Sequence, residues 1–231
     1  MATVIVVTNQ KGGVGKTTTC AALAGIFRSR DKRVLCIDMD PQGNLSFSLG
    51  AEDDGYTIHD VMTGACDIRD AVKTTHICDV ITSNILLSGS ELELTSERRE
   101  FILKDILKII RYSYDYIIID TPPALSILTI NAYTAADDLI IPMTPEILPL
   151  QGIAQLKETI TAVKKYYNKR LNVRGILLTK YIKNQTLAEE VEEMVEIVAD
   201  QLKTEVLEVK ISVSVAAAEA PAHQEVLTTY S

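Results

Sequence analysis

The chain has no run of 18 apolar residues, which excludes a transmembrane helix. Its opening Met1-Ala-Thr-Val has no basic region ahead of an apolar run, so no secretory signal is read there. Cys20, Cys36, Cys66 and Cys78 contain no C-x-x-C pair, and this excludes the paired-thiol chemistry of iron–sulfur carriers and their reductase relatives. Cys20 and Cys36 fall in apolar contexts, where a thiol serves as a small hydrophobe. Four reduced cysteines fit a cytoplasmic protein. The tail Gln224–Ser231 lacks the basic amphipathic character of a bilayer-surface helix, so no membrane partner is expected. Repeats, low-complexity tracts and long linkers are also missing. Bases are fewer than acids, 23 against 31, and the net charge of −8 argues against a surface that attracts polyanions everywhere.

Hydrophobic residues make up 47% of the 231 positions, enough for one well-buried core. Short Val/Ile-rich runs alternate with longer helical stretches, the signature of an α/β fold with a mostly parallel twisted sheet flanked by helices on both faces. Strands are predicted over 3–8, 33–38, 78–82, 115–120, 138–142, 173–179 and 205–209. Helices are predicted over 16–30, 57–63, 98–112, 124–135, 150–168 and 186–202. In the last of these Leu187, Val191, Met194, Val195, Val198 and Leu202 recur at helical spacing. Residues 1–231 read as a single nucleotide-binding domain, with no separate N-terminal DNA-binding domain.

The first strand runs into Asn9-Gln-Lys-Gly-Gly-Val-Gly-Lys-Thr-Thr-Thr19. Gly12, Gly13 and Gly15 let consecutive backbone N–H groups, with Val14 among them, converge on an anion, and the following helix adds its positive end. Lys16 occupies the place of the ordinary phosphate-loop lysine, which neutralises the β- and γ-phosphates, and Thr17 that of the Mg²⁺-binding hydroxyl. Lys11, at the head of the loop, is an additional cation that the ordinary pattern does not require. Two further strands end in carboxylates. Arg33–Asp38 is followed by Met39 and Asp40, so Asp38 and Asp40 start on one face at the strand's C-terminal end. Tyr116–Asp120 ends in the carboxylate expected of a Mg²⁺ partner. In open parallel sheets that end is where ligands bind.

Taken together, these segments resemble the deviant Walker-A ATPases of the ParA/Soj/MinD group, and most of all the short chromosomal-type ParA (Soj) proteins. The resemblance rests on Lys11–Thr18, Asp38–Asn44, Ser83-Asn84 with Leu87–Leu94, Asp120–Pro123, Leu128–Ala132, Ala135–Asp137 and Glu219–Pro221. It implies a P-loop fold and weak Mg²⁺-dependent ATP hydrolysis stimulated by a ParB-like activator. It further implies an ATP-dependent homodimer that serves chromosome, plasmid or mobile-element partitioning. By the same resemblance Lys11 acts across the dimer, Lys16 within its own chain, and Thr18 holds a further phosphate oxygen. Asp40 positions or deprotonates the attacking water, while Thr17, Asp38 and Asp120 support the metal. Thr179 and Lys180 fall where related GTPases contact the base, and Ile182 replaces the aspartate that reads guanine, which favours ATP.

The chain departs from the family at its basic residues. Asn184, Val213 and Ala216 stand where family arginines contribute to DNA binding, and 211–218 holds no basic residue. Residues 157–183 hold eight Lys/Arg against Glu158 alone, whereas 184–208 hold eight Asp/Glu against Lys203 alone. The first block, through Lys164, Lys165, Lys169 and Arg170, is the candidate DNA surface and would place the protein on the nucleoid. The alternative reading is a positioning switch that acts on a protein assembly without touching DNA.

Overall fold

The computed structural model describes residues 1–52, 54–145, 150–182 and 188–230. Seven strands form one sheet in the order β3-β4-β2-β5-β1-β6-β7. They are β1 (Thr3–Val7), β2 (Val34–Asp38), β3 (Val72–Thr74), β4 (Asp79–Ile81), β5 (Tyr116–Asp120), β6 (Asp138–Met143) and β7 (Asn172–Leu178). All neighbouring pairs are parallel except β3 with β4. The helices are α1 (Lys16–Arg28), α2 (Asn44–Ser48), α3 (Ile58–Thr63), α4 (Ser90–Glu93), α5 (Ile102–Ile110), α6 (Ile127–Ala135), α7 (Leu150–Tyr166), α8 (Ala188–Leu202) and α9 (Ala216–Glu219).

Strand alternation divides the core in two. Ile117 and Ile119 of β5, with Leu35 and Ile37 of β2, face the large cluster that includes Leu103, Leu107, Tyr133, Ile160 and Val198. Ile118 and Cys36 face the opposite cluster with Cys20, Ala21 and Ala24 of α1, closed by Val226. A Cβ on Gly25 would stand 2.6 Å from Val226, so the bare glycine lets the C-terminal tail lie against α1. Helix starts follow local chemistry. Asp60 accepts from the Thr57 N–H (2.8 Å) and hydroxyl (2.9 Å) at the head of α3, and Ser126 caps α6 by accepting from the Leu128 N–H.

Three sequence expectations are revised. β3, a three-residue antiparallel edge, is too short to leave a periodic signal. The predicted strand 205–209 is reduced to a single bridge, Ile176 with Val206, because the segment bulges away from β7 after Leu207. The predicted helix 124–135 begins only at Ile127, where the extended Ser126 caps it. The start of the predicted helix 186–202, Leu187 included, lies outside the described residues, as do Lys183 and Asn184.

Candidate nucleotide site

The sheet brings the three candidate segments to one end. β1 lies between β5 and β6, and β5 lies between β1 and β2. The loop after Val7, Asp120 and the Asp38–Asp40 turn therefore emerge side by side at the C-terminal ends of adjacent strands. Asp38 and Asp120 are direct cross-strand partners.

The loop owes its shape to glycine and to a few side chains. Gly13 (φ 72°) and Gly15 (φ 87°) are left-handed, a region that costs a residue with a Cβ. Asn9 braces the turn from below: its Nδ2 donates to the Pro142 carbonyl at 2.7 Å and its Oδ1 accepts the Lys11 N–H at 3.0 Å. Thr179, buried, shares its hydroxyl proton between the carbonyls of Val14 (2.8 Å) and Met143 (3.2 Å). That hydroxyl is turned to the loop backbone, whereas Lys180 is exposed with φ 52°. Gly12 and Gly13 are exposed and Val14 is buried.

Lys16 opens α1 with only 7% of its surface exposed, and its Nζ donates to the Lys11 carbonyl at 3.2 Å. Burial pulls its ammonium below the usual value, while the Asp120 and Asp40 carboxylates counter the shift. Thr17, half-buried beside it, donates its hydroxyl to Asp120 Oδ2 at 2.5 Å. Thr18 is half-buried on the same turn.

Asp120 is fully buried, and its second oxygen, Oδ1, has no hydrogen-bond partner among the described residues. Burial and the neighbouring Asp38 carboxylate push its carboxyl up to about 8, against the pull of Thr17 and Lys16. Asp38 is also buried and raised to about 6, chiefly by burial. Its oxygens are nevertheless engaged, Oδ2 by the Ser46 N–H and hydroxyl (both 2.8 Å) and Oδ1 by the Asp40 N–H (3.1 Å). Asp40 sits at the head of a turn, its Oδ1 accepting the Gln42 N–H at 3.0 Å. That turn closes at Gly43, which is left-handed (φ 65°) and whose added Cβ would stand 3.0 Å from the Ser83 carbonyl.

The two carboxylates thus differ. Asp38 is tied to the start of α2, while Asp120 offers an unpaired buried oxygen next to a hydroxyl. Two carboxylates and a lysine held out of water need an added positive charge or a proton to balance. Ser46 and Asn9 were not singled out from the sequence. Ser46 lies eight residues past Asp38 with no motif to mark it, and Asn9 acts through the distant Pro142.

The site is that of a P-loop nucleotide-binding protein. A family model described as an AAA domain matches residues 2–173. The sporulation initiation inhibitor protein Soj of Bacillus subtilis is 40% identical over 235 residues, covering 100% of this chain and 92% of Soj. The chromosome partitioning protein ParA of Myxococcus xanthus is 39% identical, covering 98% of this chain and 81% of its own length. Among solved structures, a cobyrinic acid a,c-diamide synthase from Mycobacterium smegmatis with bound ADP and magnesium superposes with a TM-score of 0.87 at 36% identity. That match covers 97% of this chain and 93% of the synthase. The chain belongs to the ParA/Soj family of P-loop ATPases.

Proposed function

We propose that this chain is a Mg²⁺-dependent ATPase of the ParA type, a nucleotide-controlled switch for partitioning DNA. The observation that carries this reading is Asp120: one oxygen holds the Thr17 hydroxyl, and the other is buried and unpaired at the foot of a glycine-rich anion loop. That donor set fits Mg²⁺, which takes one or two carboxylates and completes its shell with phosphate oxygens and water. Among the described residues no group of three or more His, Cys, Asp or Glu forms a dedicated cage. Thr17 and Asp120 would hold the ion, with Asp38 behind them fixing the geometry through Ser46. When bound, Mg²⁺ supplies charge neutralisation on the phosphate oxygens. Binding of ATP with Mg²⁺ is in keeping with the solved relatives that hold ADP or an ATP analogue with magnesium.

The chain's own groups divide the work. Backbone N–H groups of residues 12–16 orient the phosphates, the Lys16 ammonium neutralises them, and Thr18 contacts a further oxygen. Asp40, next to Asp38 but less enclosed, orients the attacking water and accepts its proton. Lys11 reaches the phosphates of a second copy, which makes hydrolysis depend on dimerisation and leaves the basal rate low. A ParB-like protein would then act as activator.

DNA contact is assigned to Lys164, Lys165, Lys169 and Arg170. All four are exposed, and among the described residues none is within ion-pair distance of a carboxylate. Tyr166 stands exposed among them, with the Lys165 ammonium 4.9 Å from its ring centre. This pole takes in the last turn of α7, whose 17 residues span about 25 Å, and the segment before β7, so it lies at the end of the sheet away from the loop. Each protomer of a dimer joined at its phosphate loops would then carry its pole outward, to a separate stretch of duplex. The second reading, a switch without DNA contact, is favoured by one observation: Val213 and Ala216 replace family arginines on an uncharged segment.

ATP binding and turnover measured with and without Mg²⁺ test the core of the proposal. Gel filtration of Lys11→Ala with ATP tests the dimer: the variant should bind ATP and elute as a monomer, and an ATP-dependent dimer would remove the role given to Lys11.

A further inference from the structure

The basic pole is wider than its four exposed cations, and part of it is aromatic. Tyr166 ends α7 and Tyr167 follows it, their ring centres 6.3 Å apart. Tyr167 in turn meets Phe101 edge to face, with 5.6 Å between centres. Phe101 closes the short helical turn Arg99–Phe101 that leads into α5. Cations alternate with these rings. The Lys165 ammonium lies 4.9 Å from the centre of Tyr166, and the Arg98 guanidinium and Lys104 ammonium lie 5.1 and 5.9 Å from the centre of Phe101. Lys104 also donates to the Tyr167 carbonyl at 3.4 Å, which joins α5 to the end of α7.

Both halves of this belt are fastened to the helix α6 region by buried asparagines. Asn131 of α6 donates to the Arg99 carbonyl (2.8 Å) and accepts the Leu103 N–H (3.1 Å), so the turn that carries Phe101 is fixed. Asn168 donates to the carbonyls of Tyr133 (3.0 Å) and Ala136 (2.7 Å), which fixes the chain just past Tyr167. A platform held in place before anything binds loses little freedom on contact.

The charge around the belt is not balanced. Asp105 is taken up by Lys108 (2.6 Å) and Arg98 (3.7 Å). Among the described residues no carboxylate lies within ion-pair distance of Lys104, and burial, then the like charge of Lys108, holds its ammonium below the usual value. A half-buried cation among cations favours an anion beside it. Tyr166 meanwhile keeps 64% of its surface in solvent. Duplex DNA would answer the cations with its phosphates, but its bases are stacked inside the helix and would leave that ring uncovered. A single strand offers phosphates and open base faces together, and every base has a face that stacks on an aromatic ring.

We propose that the belt from Phe101 to Tyr166 binds single-stranded DNA, with a base stacked on Tyr166 and the phosphates led along Lys104, Lys164 and Lys165. This rests on the assignment of the pole to DNA and adds to it the strand form that the surface prefers.

The probe is a fluorescent oligothymidylate of about 15 nucleotides, compared with a duplex of equal length, both with ATP and Mg²⁺. Anisotropy should show the single strand bound severalfold more tightly than the duplex. Tyr166→Ala should lower single-strand affinity about tenfold while changing duplex affinity little, and Tyr166→Phe, which keeps the ring, should retain the parent preference. Lys104→Met should weaken both forms. ATP turnover should be unchanged in each variant. Equal affinity of the parent for both forms, or a preference that survives Tyr166→Ala, overturns the proposal and leaves the duplex assignment standing. Absence of binding to either form overturns both. Cosedimentation with anionic phospholipid vesicles that Tyr166→Ala abolishes also overturns it, because the ring would then serve a lipid surface.

Discussion

The two ends of the sheet are built on opposite electrostatic plans. At the phosphate end, Lys16, Asp38 and Asp120 are packed out of water within one cluster, and every oxygen but one of the two fully buried carboxylates is engaged. At the far end Lys164, Lys165, Lys169 and Arg170 stand in solvent around Tyr166. Buried charges act over short distances and resist screening, so their function depends on geometry. Exposed charges act over about a Debye length and weaken with salt, so their function depends on number. The first arrangement suits chemistry on one phosphate. The second suits holding a long polyanion in no fixed register.

This contrast sets the size of each expected effect. Lys16→Ala should be the most severe, lowering ATP affinity by more than about 100-fold, because Lys16 is the only buried cation among the described residues. Isothermal titration with Mg·ATP checks it, and near-normal affinity would show that backbone amides alone hold the phosphates. Asp40→Ala should retain ATP and lose roughly 10²–10⁴ in turnover, the usual contribution of a water-orienting base. Single-turnover hydrolysis separates that from a binding defect.

Asp120→Asn should divide activity from stability. The Asp120 carboxyl, raised to about 8 in the fold, sits far above its value of roughly 3.9 in an unfolded chain. The folded protein therefore holds a proton that the unfolded chain has lost between those limits, and nucleotide-free stability from this site falls as pH rises from about 4 to 8. The asparagine variant should flatten that dependence and melt higher than the parent protein at pH 8. It should also lose Mg²⁺-dependent hydrolysis. Thermal melts of both proteins at pH 5.5 and 8 decide this, and a parallel loss of stability at pH 8 would mean the site is not charge-strained.

The smallest effect belongs to the exposed pole. Lys164→Glu with Lys165→Glu should leave ATP turnover unchanged and reduce duplex affinity, lowering the log–log salt slope by roughly 2 per protomer. An unchanged slope, measured by mobility shift at two salt concentrations, would remove this surface from any contact with DNA. It would also favour the switch that acts on protein alone.

What could be read before folding was whatever the chain states locally. Gly13 and Gly15 permit left-handed turns by having no Cβ, β1, β2 and β5 announce themselves as short apolar runs, and Asp38 and Asp120 stand at the ends of two of those runs. Lys11, Lys16, Thr17 and Asp40 are placed by their distance along the chain from these features. Only the tertiary structure sets β2 beside β5, which opposes two carboxylates 82 positions apart and lets Asp38 add to the burial that raises Asp120. It decides that Ser46 occupies Asp38 while Asp120 keeps a free oxygen, that Thr179 braces the loop, and that Lys164, Lys165, Lys169 and Arg170 lie at the opposite end of the sheet. The division has one physical cause. Backbone torsions and alternation are set by neighbouring residues, whereas desolvation, orphaned hydrogen-bond groups and exposed edges are set by which distant segments pack against them.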